Sequence, residues 1–286
     1  LLTGPMVWGI SPEFAGSGLG AITYAMRHVG TLGRPVGGSG MVGRTILTAF
    51  ENAGGTLRTA SAVAAITCEG PRVRGVRLTD GTEIDAPVVV SACNPHDTFL
   101  HWLRNPPARA ARLVQRWRDT PHADGYESKI DAVVREVPRL DAARAAGLDG
   151  DLAATYAIAP SLADMHRGWQ LLGRKEVLPH PGLLANVPSV DNPTLSPAGT
   201  HVLSLEALFT PYGLPGGWAA SSEPSRWLDL FAGLAQPGFR ENVVEWRAMT
   251  PDRYEREFHL PHGHATSFAG GPLAALRNSS PELTRY

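Results

Sequence analysis

The run from Arg34 to Asn94 decides how this chain is read. It opens with the glycine cluster Gly37-Gly38-Ser39-Gly40 and enters a helix-like run from Met41 to Ala53. Val42, Ile46, Leu47, Ala49 and Phe50 form an apolar stripe along that run, and Gly54 stops it. Thr56 to Thr59 and Ala62 to Thr67 read as short strands, and Val73 to Leu78 as another that alternates at its end. Asp80-Gly81 has the composition of a type I′ hairpin turn, after which Glu83-Ile84-Asp85 returns. Val88-Val89-Val90 reads as a strand buried on both faces, as in a parallel α/β sheet. Ser91-Ala92-Cys93-Asn94-Pro95 then leaves its carboxyl end, where open α/β sheets place ligands.

Two glycine patterns compete as phosphate loops. Gly38-Ser39-Gly40-Met41-Val42-Gly43 is a full G-x-G-x-x-G that opens a helix. No strand precedes it, because Pro35 removes a ladder donor, and residues 57–66 supply no carboxylate for a ribose. Its glycines read better as a place where backbone passes close to a cofactor or a neighbouring helix. Gly16 to Ala21 matches the looser G-x-G-x-x-A, with Pro12, Glu13 and Phe14 where a buried strand is required.

Composition bounds the rest. The 286 residues suggest about two domains, and 43% hydrophobic with 19% charged residues describe a globular chain with a sizeable core. A net charge of −1, with no basic run, gives no general attraction to nucleic acid. Cys68 and Cys93 lie too far apart for a metal knuckle and read as reduced, mostly buried thiols, in keeping with a cytoplasmic setting. No run approaches the length of a membrane span, and no signal-peptide pattern is visible.

Further along, Ala108 to Trp117 is helical, and from Tyr126 onward the character changes. Ile130, Ala132 and Val134 alternate with Asp131, Val133 and Arg135, the pattern of a strand with one partly wet face. Ser161 to Asp164 reads as an N-cap and first helical turn. Gly182 to Ser189 and His201 to Phe209 read as two antiparallel strands joined by the turn-rich Asp191–Gly199. Ser225 to Ala235 is helical, Val243 to Met249 is a further strand, and Pro251 to Phe258 is a short helix with proline in its first turn.

The ordered set of signals resembles the phytoene desaturase-like FAD-dependent oxidoreductases, including the pyridine nucleotide-disulfide oxidoreductase domain 2 group. It is carried by Gly33 to Gly40, Ala53-Gly54-Gly55, Ala62 to Ile66, Val73 to Gly81 and Val89 to Pro95. Asp191 to Ser204, Pro237-Gly238-Phe239, Thr250-Pro251 and His262-Gly263-His264 extend it. The resemblance implies an α/β chain, α+β overall: part of a GR2-type FAD/NAD(P)-binding fold with a small β-meander, plus an antiparallel-sheet substrate domain. It divides the chain into a substrate-domain or connecting segment at 1–33, a partial FAD domain at 34–98, a substrate domain at 99–250 and a return segment toward the FAD domain at 251–286. Full members begin with a strand and a pyrophosphate-binding G-x-G-x-x-G and end with a glycine-rich flavin segment, so the chain reads as an internal fragment lacking both. FAD is the implied cofactor. Val63 is implied at the adenine, Ser91, Ala92 and Asn94 at the adenine and ribose-phosphate region, and Gly38 and Ser39 beside the dinucleotide arm.

The implied chemistry is dehydrogenation, or redox-linked isomerisation or saturation, of an apolar small molecule. A flavin carries hydride or electrons itself, so few protein acid–base groups are required. No G-x-S-x-G elbow, His-Glu-x-x-His or P-loop is present, which disfavours a hydrolase or nucleotidase. Tyr212 and Trp218, flanking a Gly/Pro loop, and His262 and His264 are the candidates for a substrate pocket. His259, His262 and His264 have no carboxylate or cysteine pattern to complete a metal site. An apolar substrate also leaves room for peripheral membrane contact by the full-length protein. The contrasting reading is a non-catalytic binding or scaffold module that holds no flavin.

Overall fold

Strand β4 (Tyr126–Val134) alternates buried and half-buried residues without a break. That period-2 pattern places one of its faces in a core and the other against polar surroundings. The computed structural model describes residues 33–147 and 155–264, with isolated positions 16, 18, 19 and 22 before them. Its elements are α1 (Gly40–Asn52), β1 (Val63–Glu69), β2 (Arg72–Leu78), β3 (Glu83–Asp85), α2 (Ala111–Asp119), β4, α3 (Asp141–Ala145), β5 (Tyr156–Ile158), α4 (Leu162–Gly173), β6 (Leu183–Asn186), β7 (His201–Thr210), α5 (Glu223–Ala232), β8 (Val243–Met249) and α6 (Pro251–Phe258). The fold is mixed α/β with antiparallel sheets. Contacts divide it into two units, one spanning Gly43–Ala123 and one that takes in Leu1–Val42 and Asp124–Ala265.

The larger unit is built on a five-stranded sheet in the order β5-β6-β7-β4-β8, with every neighbouring pair antiparallel. On one face Ile130, Ala132, Val134, Leu183, Ala185, Leu203, Leu205 and Ala207 pack against Trp227, Leu228 and Phe231 of α5 and against Phe239. Leu171 and Leu172 of α4 join a second cluster with Leu208, Phe209 and Tyr126. Ser161 caps α4 by accepting the Asp164 backbone N–H at 3.1 Å, as the Ser-x-x-Asp pattern predicts.

The smaller unit is a β1-β2-β3 meander with helical segments after it. The turn between β2 and β3 is not type I′. That type needs positive φ at both central residues, whereas here only Gly81 has it, at 88°. Gly81 N–H donates to the Leu78 carbonyl at 3.1 Å and Leu78 N–H to Thr82 at 2.8 Å, a three-residue loop ending on a left-handed glycine. The Asp80 carboxylate accepts the Thr82 N–H at 2.9 Å and completes the turn.

Val88-Val89-Val90 is not a buried strand. Val88 is 72% and Val90 88% exposed, and no strand pairs with them among the described residues. Thr56 to Thr59 likewise forms no strand pairing among the described residues. The apolar stripe of α1 is exposed at Val42, Ile46 and Phe50. An apolar run is buried on both faces only when strands flank it, and the meander does not supply them. Of the two thiols, Cys68 is half-buried and Cys93 exposed, not both buried as the sequence suggests. His96 is buried and donates from Nε2 to the Thr120 carbonyl at 2.6 Å, tying a π-helical turn at Asp97–Trp102 to the end of α2. Among the described residues no helix is long and apolar enough to cross a membrane, and no three His, Cys, Asp or Glu side chains group as a metal site.

Candidate functional site

Three segments of the larger unit meet where β7 ends. Tyr212 follows β7, Glu255 lies on α6, and His262 lies in the loop beyond α6. The Tyr212 hydroxyl donates to Glu255 Oε2. Glu255 Oε1 accepts the His262 backbone N–H at 3.0 Å. The Tyr212 and His262 rings stack with centroids 4.9 Å apart and planes within 12°. The carboxylate bonded to its hydroxyl is the main reason the Tyr212 phenol is pushed up to about 12, with burial second.

Trp218 supports this corner from behind. It is only 5% exposed, and its indole N–H donates to the carbonyls of Pro211 and Tyr212 at 3.0 and 3.1 Å. Trp218 therefore holds the Tyr212 main chain while its ring packs toward Trp227, at 5.8 Å between centroids. Its exposed edge contributes to a cleft of about 280 Å³ with Trp246, Thr250 and Arg253. Beside the corner, Tyr126 stacks on Trp169 of α4 at 5.1 Å, and Phe209 meets both rings edge-on. His264 lies 6.4 Å from the Tyr126 ring. Burial lowers the His264 imidazole pKa, against an opposing pull from Asp124, and so favours the neutral ring.

Of the four substrate-pocket candidates read from sequence, Tyr212 and His262 are in direct contact. His264 lies on the adjoining aromatic patch, and Trp218 is a buried anchor. Glu255 and Tyr126 escaped sequence reading as site residues. The Tyr212–Glu255 bond spans 43 residues, which no local pattern reveals.

The sheet face opposite the core carries a second polar group. Glu127, Lys129 and Asp131 of β4 point there with Glu206 of β7, which pairs in register with Lys129. The Lys129 amine is committed to Asp131 at 2.9 Å. Burial raises the pKa of both Glu127 and Glu206, with repulsion from Glu206 adding to that of Glu127 and from Asp131 to that of Glu206. A carboxylate with a raised folded-state pKa stabilises the fold below its unfolded value, about 4.3, and loses that contribution as pH rises through the folded value. Glu127→Gln and Glu206→Gln are therefore expected to raise the melting temperature at pH 7–8. The gain should vanish near pH 4, as thermal unfolding across that range will report.

The cofactor candidates lie on exposed or half-buried backbone. Val63 opens β1, the outer strand of the meander. That outer edge is engaged at Ile66, which bridges to Leu103 and accepts the Arg104 N–H at 3.3 Å. No strand pairs beyond Val63 among the described residues, so its edge backbone suits the donor–acceptor rim of an adenine. Ala92 is exposed. The Ser91 hydroxyl is bonded to Thr98 Oγ1 at 2.7 Å, and Asn94 accepts the Asp97 N–H at 2.9 Å while its amide donates to the Asp97 carboxylate. Their side chains are thus committed to the turn at Asp97–Trp102, and the Asn94 carbonyl is committed as well, accepting the Thr98 N–H at 3.1 Å and its hydroxyl at 3.0 Å. Gly38 lies against the Leu195 side chain, and Ser39 is exposed at the start of α1. Val63 and residues 91–94 offer main-chain donors and acceptors of the kind an adenine rim takes. No group for a pyrophosphate stands among them.

No family model matches the chain. It is 32% identical over 278 residues to pyridine nucleotide-disulfide oxidoreductase domain-containing protein 2 of Mus musculus, across 89% of this chain and 46% of that protein. It is 25% identical over 270 residues to a phytoene desaturase (lycopene-forming) of a Paracoccus species, across 89% of this chain and 48% of that protein. It is also 25% identical over 241 residues to prolycopene isomerase 2 of an Oncidium hybrid, across 80% of this chain and 37% of that protein. The chain spans about half the length of the curated relatives it matches. An oxidoreductase structure from Methanosarcina mazei superposes with a TM-score of 0.55 at 18% identity, over 84% of this chain and 49% of that one, a likeness of fold alone. This chain is thus a relative of the pyridine nucleotide-disulfide oxidoreductase domain 2 proteins and of the phytoene desaturase-like oxidoreductases.

Proposed function

We propose that this chain supplies the substrate domain and the adenine side of the cofactor site in an FAD-dependent oxidoreductase. The enzyme dehydrogenates an apolar substrate, or isomerises or saturates it by redox chemistry. The observation that carries this reading is the kinship to a phytoene desaturase and a prolycopene isomerase along nearly the whole chain. The aromatic and imidazole corner at Tyr212, His262, His264 and Trp169 supports an apolar ligand, since flat rings give large contact area at low entropic cost.

FAD, when bound, supplies the hydride or electron transfer. The part of this chain is to bind and orient. The β1 edge at Val63 and the main chain of Ser91, Ala92 and Asn94 hold the adenine and ribose, with Gly38 and Ser39 beside the dinucleotide arm. Tyr212 and His262 form a fixed wall for the substrate and exclude water from it. The exposed apolar stripe of α1 and the exposed Val88 and Val90 are the faces that the remainder of a dinucleotide-binding domain would cover.

The full-length protein is expected to purify with a flavin absorbance band. The 286-residue chain, offering no pyrophosphate-binding group among its described residues, is expected to retain FAD at least tenfold more weakly. Absorbance after gel filtration of both proteins with added FAD measures this. A full-length protein without a flavin band would overturn the reading in favour of a non-catalytic binding module.

A further inference from the structure

We propose that Glu255 is the positioning residue of the substrate corner, holding Tyr212 and His262 as one rigid stack whose outer face aligns an apolar substrate. This rests on the reading of that corner as the substrate site. The geometry singles out Glu255 because its two oxygens serve two different chain segments. Oε2 accepts the Tyr212 hydroxyl, and Oε1 accepts the backbone N–H of His262 at 3.0 Å. The two segments so joined present rings stacked within 12° of parallel.

The backbone at His262 gives an independent reason. His262 has φ 53°, in the left-handed region that costs a non-glycine residue free energy and persists only where surrounding contacts enforce it. Two contacts do so. Its N–H is bound by Glu255, and its carbonyl accepts the Gly125 N–H at 3.0 Å. His259, at the end of α6, is also left-handed, at φ 55°, so the chain reverses twice within four residues to bring His262 back over Tyr212. A carboxylate accepting both a phenol and a backbone N–H makes charge-assisted bonds, stronger than neutral ones. The phenol keeps its proton throughout the physiological range, because its partner is an acceptor that stabilises the protonated form. Tyr212 is thus a wall and an aligning group here, and is not poised as a phenolate base.

The test pairs a structural readout with a kinetic one. In the 286-residue chain, Glu255→Ala is expected to lower amide hydrogen-exchange protection at His262 about tenfold or more, while the amides of β4 and β7 stay protected. Glu255→Gln, which keeps a carbonyl acceptor for the His262 N–H, is expected to restore most of that protection. In the full-length flavoprotein, Glu255→Ala is expected to raise KM for an apolar polyene about tenfold, with FAD content and kcat nearly unchanged, and the effects of Glu255→Ala and Tyr212→Phe are expected to be less than additive. Unchanged exchange at His262 in Glu255→Ala would overturn the positioning role. So would additive kinetic effects. If Glu255→Ala does not fold, Glu255→Met, which keeps the side-chain length and offers neither segment a carboxylate acceptor, carries the same comparison with Tyr212→Phe. Turnover of no apolar substrate by a flavin-loaded wild type would overturn the substrate assignment, and the exchange result would still decide whether Glu255 holds the corner.

Discussion

Trp227→Ala is expected to destabilise the larger unit by about 3–5 kcal/mol and to lower its melting temperature by roughly 10 °C or more. Trp227 is 0% exposed and sits where α5 meets the buried face of the five-stranded sheet, among Leu203, Leu205, Leu228 and Phe231. Its ring is 5.8 Å from Trp218, the residue that holds the Tyr212 main chain, so the cavity opens directly behind the candidate site. Trp227→Phe separates two contributions. The indole Nε1 is buried with no hydrogen-bond partner among the described residues, and a buried donor in that state costs about 1–3 kcal/mol. Phenylalanine removes that donor while keeping most of the apolar volume, so it should cost far less than alanine. Thermal or denaturant unfolding of the three proteins checks both expectations. If Trp227→Phe proves as damaging as Trp227→Ala, ring volume outweighs the orphaned donor.

The antiparallel half of the fold was legible because its elements have local causes. β4 alternates strictly over Tyr126–Val134, so one face had to be a core. Val243–Met249 and Pro251–Phe258 carried their own boundaries: a run of β-formers, then a proline where a helix starts. The other half was read from rules that depend on neighbours. Val88 to Val90 has the composition of a doubly buried strand, but burial requires flanking strands, and none is present among the described residues. Asp80-Gly81 fits two hairpin turns, and the choice was made by the register, in which Leu78 pairs with Thr82.

The site was legible as residue types and not as geometry. Tyr212, His262 and His264 could be picked out as rings beside turns, and two of them do stack. Trp218 carries the same signals and does both jobs, edging the cleft with Trp246, Thr250 and Arg253 while its indole N–H is used on two main-chain carbonyls. Composition does not tell a ring that lines a pocket from one that holds a neighbour in place. Glu255 had no distinguishing feature in a helix that also carries Asp252 and Glu257. Its role comes from tertiary packing that sets it opposite a tyrosine 43 residues away. For Ser91 and Asn94 the sequence reading rested on a buried strand that Val88 to Val90 does not form, and it left open how their side chains are spent, which the bonds to Thr98 and Asp97 answer.

Gly263→Ala is expected to damage the corner more than any other single methyl addition there. Gly263 has φ 65°, and a Cβ placed on it would lie 2.2 Å from the Pro251 carbonyl oxygen and 2.4 Å from Pro251 Cα. Both obstacles are backbone at the first turn of α6, so no side-chain rotation relieves them. The left-handed conformation alone costs an alanine about 1–2 kcal/mol. Gly199→Ala isolates that cost, since Gly199 has φ 78° with nothing within 4 Å of its added carbon. The excess of Gly263→Ala over Gly199→Ala then measures the clash, and it is expected to exceed about 1 kcal/mol, as close backbone contact forces the loop off α6. Lifting that loop breaks the Gly125-to-His262 bond and draws His262 away from Glu255 and Tyr212 together. Amide exchange should therefore rise at Gly125 and His262 in Gly263→Ala and stay unchanged there in Gly199→Ala. Equal exchange and equal melting temperatures in the two variants would mean that the loop yields without cost, and that the wall made by Tyr212 and His262 does not depend on how tightly residues 261–264 are seated.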